Sequence, residues 1–251
     1  MNRAIENAYA KINLGLKVLR RRADGYHDIL SIFQTLDMHD RVIFEPAGRG
    51  ETVVICDDPE IQAGPGNLVF QAVEALRAAT GTNRGIRVIL EKRIPVGAGL
   101  GGGSSDAAAV LRALDRIWML NLSPERLQIL AGELGSDVPF LLRGGTAVVT
   151  GRGDRHRQIT WQGDFHYVLV HPGFQVLSGW AYQNLKIGLT PRSKYISFLR
   201  SIEENEELCP DVLFGCLEND FLSLLEATYP EVEPALKALE ASGALACSLS
   251  G

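Results

Sequence analysis

The sequence contains no apolar run of the ~18 residues that a membrane-spanning helix requires. It also begins without the apolar stretch of a secretory signal peptide and without an Arg- and Ser-rich transit segment. An excess of positive charge is missing as well: the net charge of the 251 residues is −5, which argues against a protein that coats nucleic acid. These absences predict a cytoplasmic protein with neither a membrane nor a nucleic-acid partner.

Cysteine is scarce, and no two cysteines form a C-x-x-C pair. The four residues are Cys56, Cys209, Cys216 and Cys247. This spacing argues against a zinc site and predicts reduced thiols. The composition, with 46% apolar and 22% charged residues, is typical of a globular protein, and the length suffices for one large or two moderate domains.

The most informative stretch is residues 94–109, which read Ile-Pro-Val-Gly-Ala-Gly-Leu-Gly-Gly-Gly-Ser-Ser-Asp-Ala-Ala-Ala. Glycine occupies five of the seven positions from 97 to 103. An apolar strand pattern precedes these glycines, and the apolar residues that follow Ser104 have the spacing of an amphipathic helix. The glycines therefore form a loop that ends at a helix N-terminus, where unpaired N–H groups and the helix dipole favour a phosphate.

Other interpretations of this loop are weaker. Residues 97–102 satisfy G-x-G-x-x-G, but the dinucleotide-binding fold needs a parallel strand after the helix, whereas residues 121–126 predict the start of another helix. A flexible Gly/Ser linker seldom lies between a clear strand and a clear helix. The chain has no Gly-Lys-Ser/Thr of a Walker A loop and no His-Arg-Asp or Asp-Phe-Gly of a protein kinase.

The loop motif resembles the phosphate loop of the GHMP kinase superfamily, a group of small-molecule kinases. The resemblance implies an α+β fold with an N-terminal ATP-binding domain (1–160), similar to the second domain of a small-subunit ribosomal protein, and a ferredoxin-like C-terminal domain (161–251). It implies that ATP with Mg²⁺ is the phosphoryl donor and that the substrates meet in a cleft between the domains. The implied ATP-binding residues are Asn67, Leu68, Lys92, Pro95, Gly97, Gly99, Leu100, Gly101, Gly102, Gly103, Ser104 and Ser105.

Residues 8–18 alternate apolar and mostly polar side chains, which predicts a half-buried strand. Lys11, Asn13 and Lys17 then lie on the face opposite the core, and Lys17 is expected to be solvated. The segment Ala-Lys-Ile-Asn-Leu is similar to the opening strand of the superfamily. This resemblance implies that Lys11 lies beside the phosphoryl acceptor and that Asn13 contacts the substrate.

Residues 22–27 read Arg-Ala-Asp-Gly-Tyr-His. A lone His is more often structural, but an adjacent aromatic ring and imidazole can hold a pyrimidine by stacking and edge hydrogen bonds. The hexapeptide resembles the cytidine-contacting signature of one branch of the superfamily, which phosphorylates the 2-hydroxyl of 4-diphosphocytidyl-2-C-methyl-D-erythritol in the non-mevalonate isoprenoid pathway. The implied substrate-binding residues, besides Asn13, are Tyr26, His27, Phe33 and Tyr182.

Residues 135–139, Gly-Ser-Asp-Val-Pro, predict the start of a helix, so the simplest role of Asp137 is that of a capping carboxylate. The resemblance to a Gly-Ala/Ser-Asp-Val-Pro motif implies instead that Asp137 is catalytic and works together with Lys11. A weak base suffices for that role, because the transition state of phosphoryl transfer is loose.

Patterns in the last third of the chain are less distinct. They predict a buried strand over 167–170, an irregular segment over 186–207 and helices over 212–227 and 231–241. Residues 246–251 resemble the approach to a third superfamily motif, so we expect the C-terminal domain to be incomplete. A kinase for homoserine or a mevalonate derivative, and a nucleotide-binding module without catalysis, stay open as alternatives, as do a monomer and a homodimer.

Overall fold

The computed structural model describes residues 3–161, 165–185, 194–197, 199, 207–208, 210–215 and 217–250, and the fold that it shows is α+β. Contacts between residues divide the chain into two compact units. Unit 1 consists of residues 1–11, 35–96 and 100–144, and unit 2 consists of residues 12–34, 97–99 and 145–251. The predicted domain division at residue 160 stays a prediction.

Six strands form one hydrogen-bonded sheet. Its strand order is β3-β4-β2-β5-β6, and β1 pairs with β2 outside this order. Two further strands, β7 and β8, form a short parallel pair. The strands are β1 (Ala4–Arg21), β2 (His27–Ala47), β3 (Thr52–Cys56), β4 (Gly85–Glu91), β5 (Thr146–Thr150), β6 (Arg155–Gln158), β7 (Thr160–Trp161) and β8 (Glu207–Leu208).

Unit 1 contains four helices and part of the six-stranded sheet. The second half of β2 runs antiparallel to β4, with Arg41 opposite Glu91, while β3 runs parallel to β4. Helix α2 packs against α1, α3 and α4, and no strand lies between α2 and α3, in contrast to a dinucleotide-binding fold. The helices are α1 (Leu68–Thr80), α2 (Gly102–Trp118), α3 (Pro124–Leu134) and α4 (Val138–Arg143).

In unit 2, the first half of β2 runs antiparallel to β5, with Ser31 opposite Val149, and β5 runs antiparallel to β6. The apolar residues Leu16, Val18, Ile29, Ala181 and Phe221 form one buried cluster. The helices of this unit whose two ends are described are α5 (Ser178–Asn184), α6 (Pro210–Phe214), α7 (Leu222–Thr228) and α8 (Val232–Ala241).

Two predicted elements of unit 2 were wrong. The predicted strand over 167–170 is irregular, and Val168 and Val170 are exposed, because these residues make no ladder hydrogen bonds in the part of the chain that the structure describes. The predicted helix over 212–227 is divided into α6 and α7, because the backbone between them bonds to β1: Leu16 N–H donates to Glu218, and Asp220 N–H donates to Leu16.

The burial of the first strands also differs from the prediction. Strand β1 is buried on both faces from residue 10 to residue 18. Lys17, which we expected to be solvated, is only 6% exposed. Burial alone would lower the pKa of Lys17, but the carboxylates of Asp220 and Glu218, 2.5 and 3.1 Å from its Nζ, raise it overall. A buried charge is tolerated here because it is paired.

The cysteines and the helices concern two predictions, that the thiols are reduced and that the protein has no membrane partner. Cys56 and Cys247 are free thiols, while Cys209 and Cys216 lie outside the described residues. Much of the segment 186–207, which we expected to be irregular, is likewise outside them, but residues 194–197 are helical, so the prediction was wrong there. Among the described residues, every helix is too short or too polar to cross a lipid bilayer.

Replacing Gly15 with Ala is expected to lower the free energy of unfolding by about 2–4 kcal/mol, from overpacking and left-handed backbone strain together. Gly15 has a φ of +82°, and a Cβ there would lie 2.5 Å from two ring atoms of Tyr195. That ring cannot move away easily, because Tyr195 is fully buried and its hydroxyl donates to Leu14 O and accepts from Ile32 N–H. Denaturant unfolding midpoints measure the effect.

The matched control is Gly243→Ala. Gly243 has a similar φ of +86°, but a Cβ there would meet no atom within 4 Å. This variant therefore reports backbone strain alone, about 1 kcal/mol. Equal losses in the two variants would contradict the proposed clash with Tyr195.

Candidate active site

The glycine loop has the backbone that its sequence predicts. Gly97, Gly99 and Gly101 have φ values of 69°, 72° and 71°, the left-handed region that glycine adopts without strain. Gly101 is the N-cap of α2, and no side chain caps the helix there. The first helical hydrogen bond runs from Ser105 N–H to Gly101 O, so the N–H groups of residues 102–104 are not used within the helix. This end of α2 offers backbone donors to an anion.

Strand β1 holds the loop in place. Lys11 N–H donates to Leu100 O at 3.0 Å, and the Ser105 hydroxyl donates to Tyr9 O at 2.6 Å. The side chain of Lys11 packs directly under the loop, since a Cβ at Gly101 would lie 3.1 Å from Lys11 Cγ. Glycine is therefore needed at position 101 to make room for Lys11 as well as for the turn.

The two predicted catalytic residues lie together in unit 1. Lys11 Nζ is 3.4 Å from Asp137 Oδ2, and the two side chains are 6% and 28% exposed. Asp137 precedes α4 as its N-cap residue, yet its side chain makes no capping hydrogen bond. Its carboxylate faces the Lys11 ammonium instead. An alcohol that reaches this pair would meet a proton acceptor and a cation at the same point.

Lys92 lies in a buried group of charges that we call the Lys92 triad, formed by Lys92, Asp40 and Asp106. Lys92 Nζ donates to a carboxylate oxygen of Asp40 and, at 2.6 Å, to Asp106 Oδ2. Burial alone would lower the pKa of Lys92, but Asp106 and Asp40 raise it overall. The predicted contact of Lys92 with a nucleotide stays a prediction.

Sequence analysis missed the two carboxylates of this triad. Asp106 stands among alanines on a face of α2 that is buried in the structure, and an acidic residue in such a position is a signal that was available. Asp40 is one polar residue within a long strand, and nothing in the sequence links it to Lys92.

Asn67 and Leu68 lie at the start of α1. Asn67 caps the helix: its Oδ1 accepts from Val69 N–H at 2.8 Å, and its amide donates to Gln62 O at 2.8 Å. A Cβ at Gly103 would lie 3.8 Å from Leu68 Cδ1, so the start of α1 is adjacent to the start of α2. Pro95 is half-buried in the segment that leads into the loop. A nucleotide at the loop would have these residues as neighbours.

In unit 2, the structure brings together two of the four aromatic residues predicted to bind the base. The rings of His27 and Tyr182 are stacked, with centroids 5.0 Å apart and planes 15° apart, and Tyr182 also makes an edge contact with Phe221. Burial, followed by the charge of Arg21, lowers the pKa of His27. The imidazole is therefore neutral over a wider pH range than usual and can both stack and accept a hydrogen bond.

The other predicted substrate residues have different neighbours in unit 2. Tyr26 is 53% exposed, and the Arg152 guanidinium lies 5.2 Å above its ring. Phe33 is 2% exposed, with its ring centroid 6.3 Å from that of His156. Asn13 is also buried, and its amide donates to the Ser31 hydroxyl at 2.9 Å. The contact of these residues with the substrate stays a prediction.

Known proteins share this loop and this fold. Residues 67–145 match the model of the GHMP kinases N terminal domain. A protein of Pelotomaculum thermopropionicum named 4-diphosphocytidyl-2-C-methyl-D-erythritol kinase is 41% identical over 245 residues, which are 97% of this chain and 84% of that protein. The chain belongs to the 4-diphosphocytidyl-2-C-methyl-D-erythritol kinase family. The resemblance drawn from the loop is thereby confirmed, and the chain is an ATP-dependent kinase.

Solved structures agree with this family. A crystal structure of 4-(cytidine 5'-diphospho)-2C-methyl-D-erythritol kinase is 31% identical and has a TM-score of 0.71, with 96% of this chain and 84% of that chain covered. A homoserine kinase from Cytophaga hutchinsonii has a TM-score of 0.68 at 18% identity, with 97% and 82% covered. The second likeness shows a shared fold alone, and together the two confirm the predicted α+β GHMP kinase fold.

Proposed function

We propose that this chain transfers the γ-phosphoryl group of ATP to the 2-hydroxyl of 4-diphosphocytidyl-2-C-methyl-D-erythritol, a step in the non-mevalonate synthesis of isoprenoid precursors. The observation that carries the proposal is the Lys11–Asp137 pair beside the glycine loop in unit 1. The loop supplies backbone donors for phosphates, and the pair supplies what an acceptor alcohol needs.

In this mechanism the hydroxyl oxygen forms a bond to the γ-phosphorus while the bond from that phosphorus to the β–γ bridging oxygen breaks, and ADP leaves. Asp137 orients the hydroxyl and accepts its proton late, as the new bond forms. The ammonium of Lys11, 3.4 Å from Asp137, stabilises negative charge on the phosphoryl group in transfer. Both groups act chiefly by position, because the transition state is loose.

We propose that Mg²⁺ accompanies ATP and is held mainly by the nucleotide phosphates. The described residues contain no set of three His, Cys, Asp or Glu side chains that could form a metal site by themselves. This fits Mg²⁺, which typically binds through one or two protein oxygens and the phosphates of its substrate. The Ser104 hydroxyl, in the first turn of α2, is an oxygen ligand of the kind that Mg²⁺ prefers. When bound, the ion neutralises charge on the phosphates.

We assign the cytosine to unit 2, where His27 and Tyr182 provide stacked aromatic surface and a neutral imidazole. Stacking on aromatic side chains is a common way to hold a base, and the ring nitrogen can hydrogen-bond to the edge of the base. Tyr26, Phe33 and Asn13 are proposed as further contacts of this substrate. In unit 1, Asn67, Leu68 and Lys92 are proposed as contacts of ATP together with the loop.

A coupled assay of ADP release tests the proposal. The acceptors are 4-diphosphocytidyl-2-C-methyl-D-erythritol, homoserine, mevalonate and 2-C-methyl-D-erythritol, each at equal concentration with ATP and Mg²⁺. Turnover is expected with the first acceptor alone. A preference for homoserine or mevalonate would favour another kinase of the superfamily, and ATP binding without ADP release from any acceptor would indicate a binding module.

Replacing Tyr182 with Ala is expected to raise KM for the cytidyl substrate by about 10- to 100-fold, since stacking of one base contributes about 1–3 kcal/mol. KM for ATP should stay unchanged. Initial-rate measurements with each substrate varied in turn separate the two constants.

The control for Tyr182→Ala is Trp180→Ala. Trp180 lies on the same helix, α5, but its ring contacts that of Tyr229. That variant should leave KM for the cytidyl substrate close to its original value. The assignment of Tyr182 fails if both variants raise this KM alike, or if Tyr182→Ala raises KM for ATP as much.

A further inference from the structure

One side chain of α2, that of Arg112, joins three elements of unit 1. Its Nη1 donates to Leu141 O at 2.7 Å and to Leu142 O at 3.3 Å. Its Nη2 donates to Asn7 O at 3.3 Å. Leu141 and Leu142 belong to α4, and Asn7 belongs to β1. The guanidinium therefore bonds to the backbone of two elements outside its own helix.

The two elements that Arg112 joins are the ones that carry the proposed catalytic pair. Lys11 follows Asn7 along β1. Asp137 is the N-cap residue of α4, and its carbonyl accepts from Leu141 N–H at 3.0 Å, one helical turn later. The distance of 3.4 Å between Lys11 Nζ and Asp137 Oδ2 thus depends on how α4 lies relative to β1.

Helix α4 needs contacts of this kind to hold its position. It has only six residues, Val138–Arg143, and an isolated helix of that length is not stable in water. The carbonyl groups of its last turn have no partner within the helix, and Arg112 bonds to two of them. Arginine suits this task, because its planar guanidinium presents several N–H groups in fixed directions.

A carboxylate holds the guanidinium in this orientation. Glu6 Oε1, on β1, accepts from Arg112 Nε at 3.2 Å, and Glu6 Oε2 accepts from Arg116 Nη2 at 2.6 Å. The side chains of Arg112 and Arg116 are 26% and 65% exposed. Arg116, one turn further along α2, therefore shares the carboxylate, but within the described part of the chain its guanidinium bonds to no backbone carbonyl.

We propose that Arg112 is a positioning residue of the catalytic pair, which fixes Asp137 relative to Lys11 by tying the end of α4 to β1. The proposal rests on the proposed function, because it requires that the pair acts on the acceptor hydroxyl. Arg112 acts through Asp137, whose carboxylate accepts the proton of that hydroxyl.

Replacing Arg112 with Met, which removes every donor and keeps most of the aliphatic stem, is expected to lower kcat by about 10- to 100-fold. A displacement of about 1 Å in a catalytic group has an effect of that size. KM for ATP should change by less than about threefold, because the phosphate loop has its own bonds to β1, from Lys11 N–H to Leu100 O and from the Ser105 hydroxyl to Tyr9 O. Steady-state kinetics with 4-diphosphocytidyl-2-C-methyl-D-erythritol, ATP and Mg²⁺ measure both constants.

A double-mutant cycle with Asp137→Asn separates positioning from a general contribution to the fold. In the Asp137→Asn background, Arg112→Met should lower the remaining kcat by less than about threefold, because the proton acceptor that Arg112 positions is already absent. A general defect of the fold would lower kcat by the same factor in both backgrounds, and that result would overturn the proposal.

Arg116→Met is the matched control, since it removes a guanidinium from the same helix and from the same carboxylate of Glu6. Its kcat and its KM for ATP should equal those of the wild type. If Arg116→Met lowers kcat as much as Arg112→Met does, the charge beside Glu6 and not the bonds to α4 and β1 is responsible, and the proposal is wrong.

Thermal unfolding shows whether the variants fold. If Arg112→Met does not fold, Arg112→Lys takes its place in the cycle. Lys keeps the positive charge, but its single nitrogen cannot reproduce the bonds to both elements, so kcat should fall in this variant also. Failure of both variants to fold, or a normal kcat in the folded variant, would overturn the proposal and leave the proposed function standing. Absence of turnover by the wild-type chain would overturn both.

Discussion

Replacing Asp137 with Asn is expected to lower kcat by about 10²- to 10⁴-fold, the usual contribution of a positioned proton acceptor. The amide has nearly the size of the carboxylate, so the position 3.4 Å from Lys11 Nζ stays filled. What is lost is the group that accepts the proton of the attacking hydroxyl. KM for ATP should change by less than about threefold, since the interaction is made in the transition state. Steady-state kinetics measure both constants.

The control is Glu233→Gln, which removes a carboxylate from an exposed ion pair with Lys237. Its kcat should equal that of the unmodified chain. Lys11→Met should also lower kcat strongly, and the double variant should lose much less than the product of the two single effects, because both groups act on the same phosphoryl transfer. A normal kcat for Asp137→Asn would contradict the proposed mechanism.

Gly101→Ala is expected to lower kcat/KM for ATP by about 100-fold or more, as happens when a preorganised donor is displaced. The new Cβ would lie 3.1 Å from Lys11 Cγ and 3.3 Å from Leu141 Cδ1, and the φ of +71° would be strained in alanine. To make room for the new Cβ, the side chain of Lys11, the start of α2 or both have to move. Stability should also fall, by about 1–3 kcal/mol.

Gly103→Ala provides the contrast within the same loop. A Cβ there would meet Leu68 Cδ1 at 3.8 Å, an ordinary contact, and Gly103 is within α2, where Ala is favoured over Gly by about 1 kcal/mol. Stability should therefore be kept or increased, and any loss of ATP affinity would report crowding of the ligand itself. Unchanged kcat/KM in Gly101→Ala would contradict the role given to the loop.

The parts of the site that sequence analysis predicted are those encoded by neighbouring residues. The glycine loop, the Ala-Lys-Ile-Asn-Leu strand and the Gly-Ser-Asp-Val-Pro helix start are all local patterns, and α2 and β1 formed where these patterns placed them. That Lys11 and Asp137 meet was inferred from a family resemblance. The spacing of residues in the sequence could not have predicted this contact, because Lys11 and Asp137 are far apart in the chain.

The features that sequence analysis missed depend on contacts between residues that are far apart in the chain. Lys17 is buried because Asp220 and Glu218 lie beside it, and no local pattern reports such a pairing. Residues 167–170 have the apolar character of a strand but pair with no strand in the described part of the chain. Asp40 and Asp106 are single acidic residues, and only the fold brings both to Lys92.

The aliphatic part of the Lys11 side chain packs against the loop at Gly101, while its terminal nitrogen faces Asp137. A scan with alanine would remove both together and leave a void next to Gly101. The resulting defect would overstate the contribution of the positive charge. Methionine, which keeps most of the stem and lacks the ammonium, is for this reason the more informative replacement at position 11.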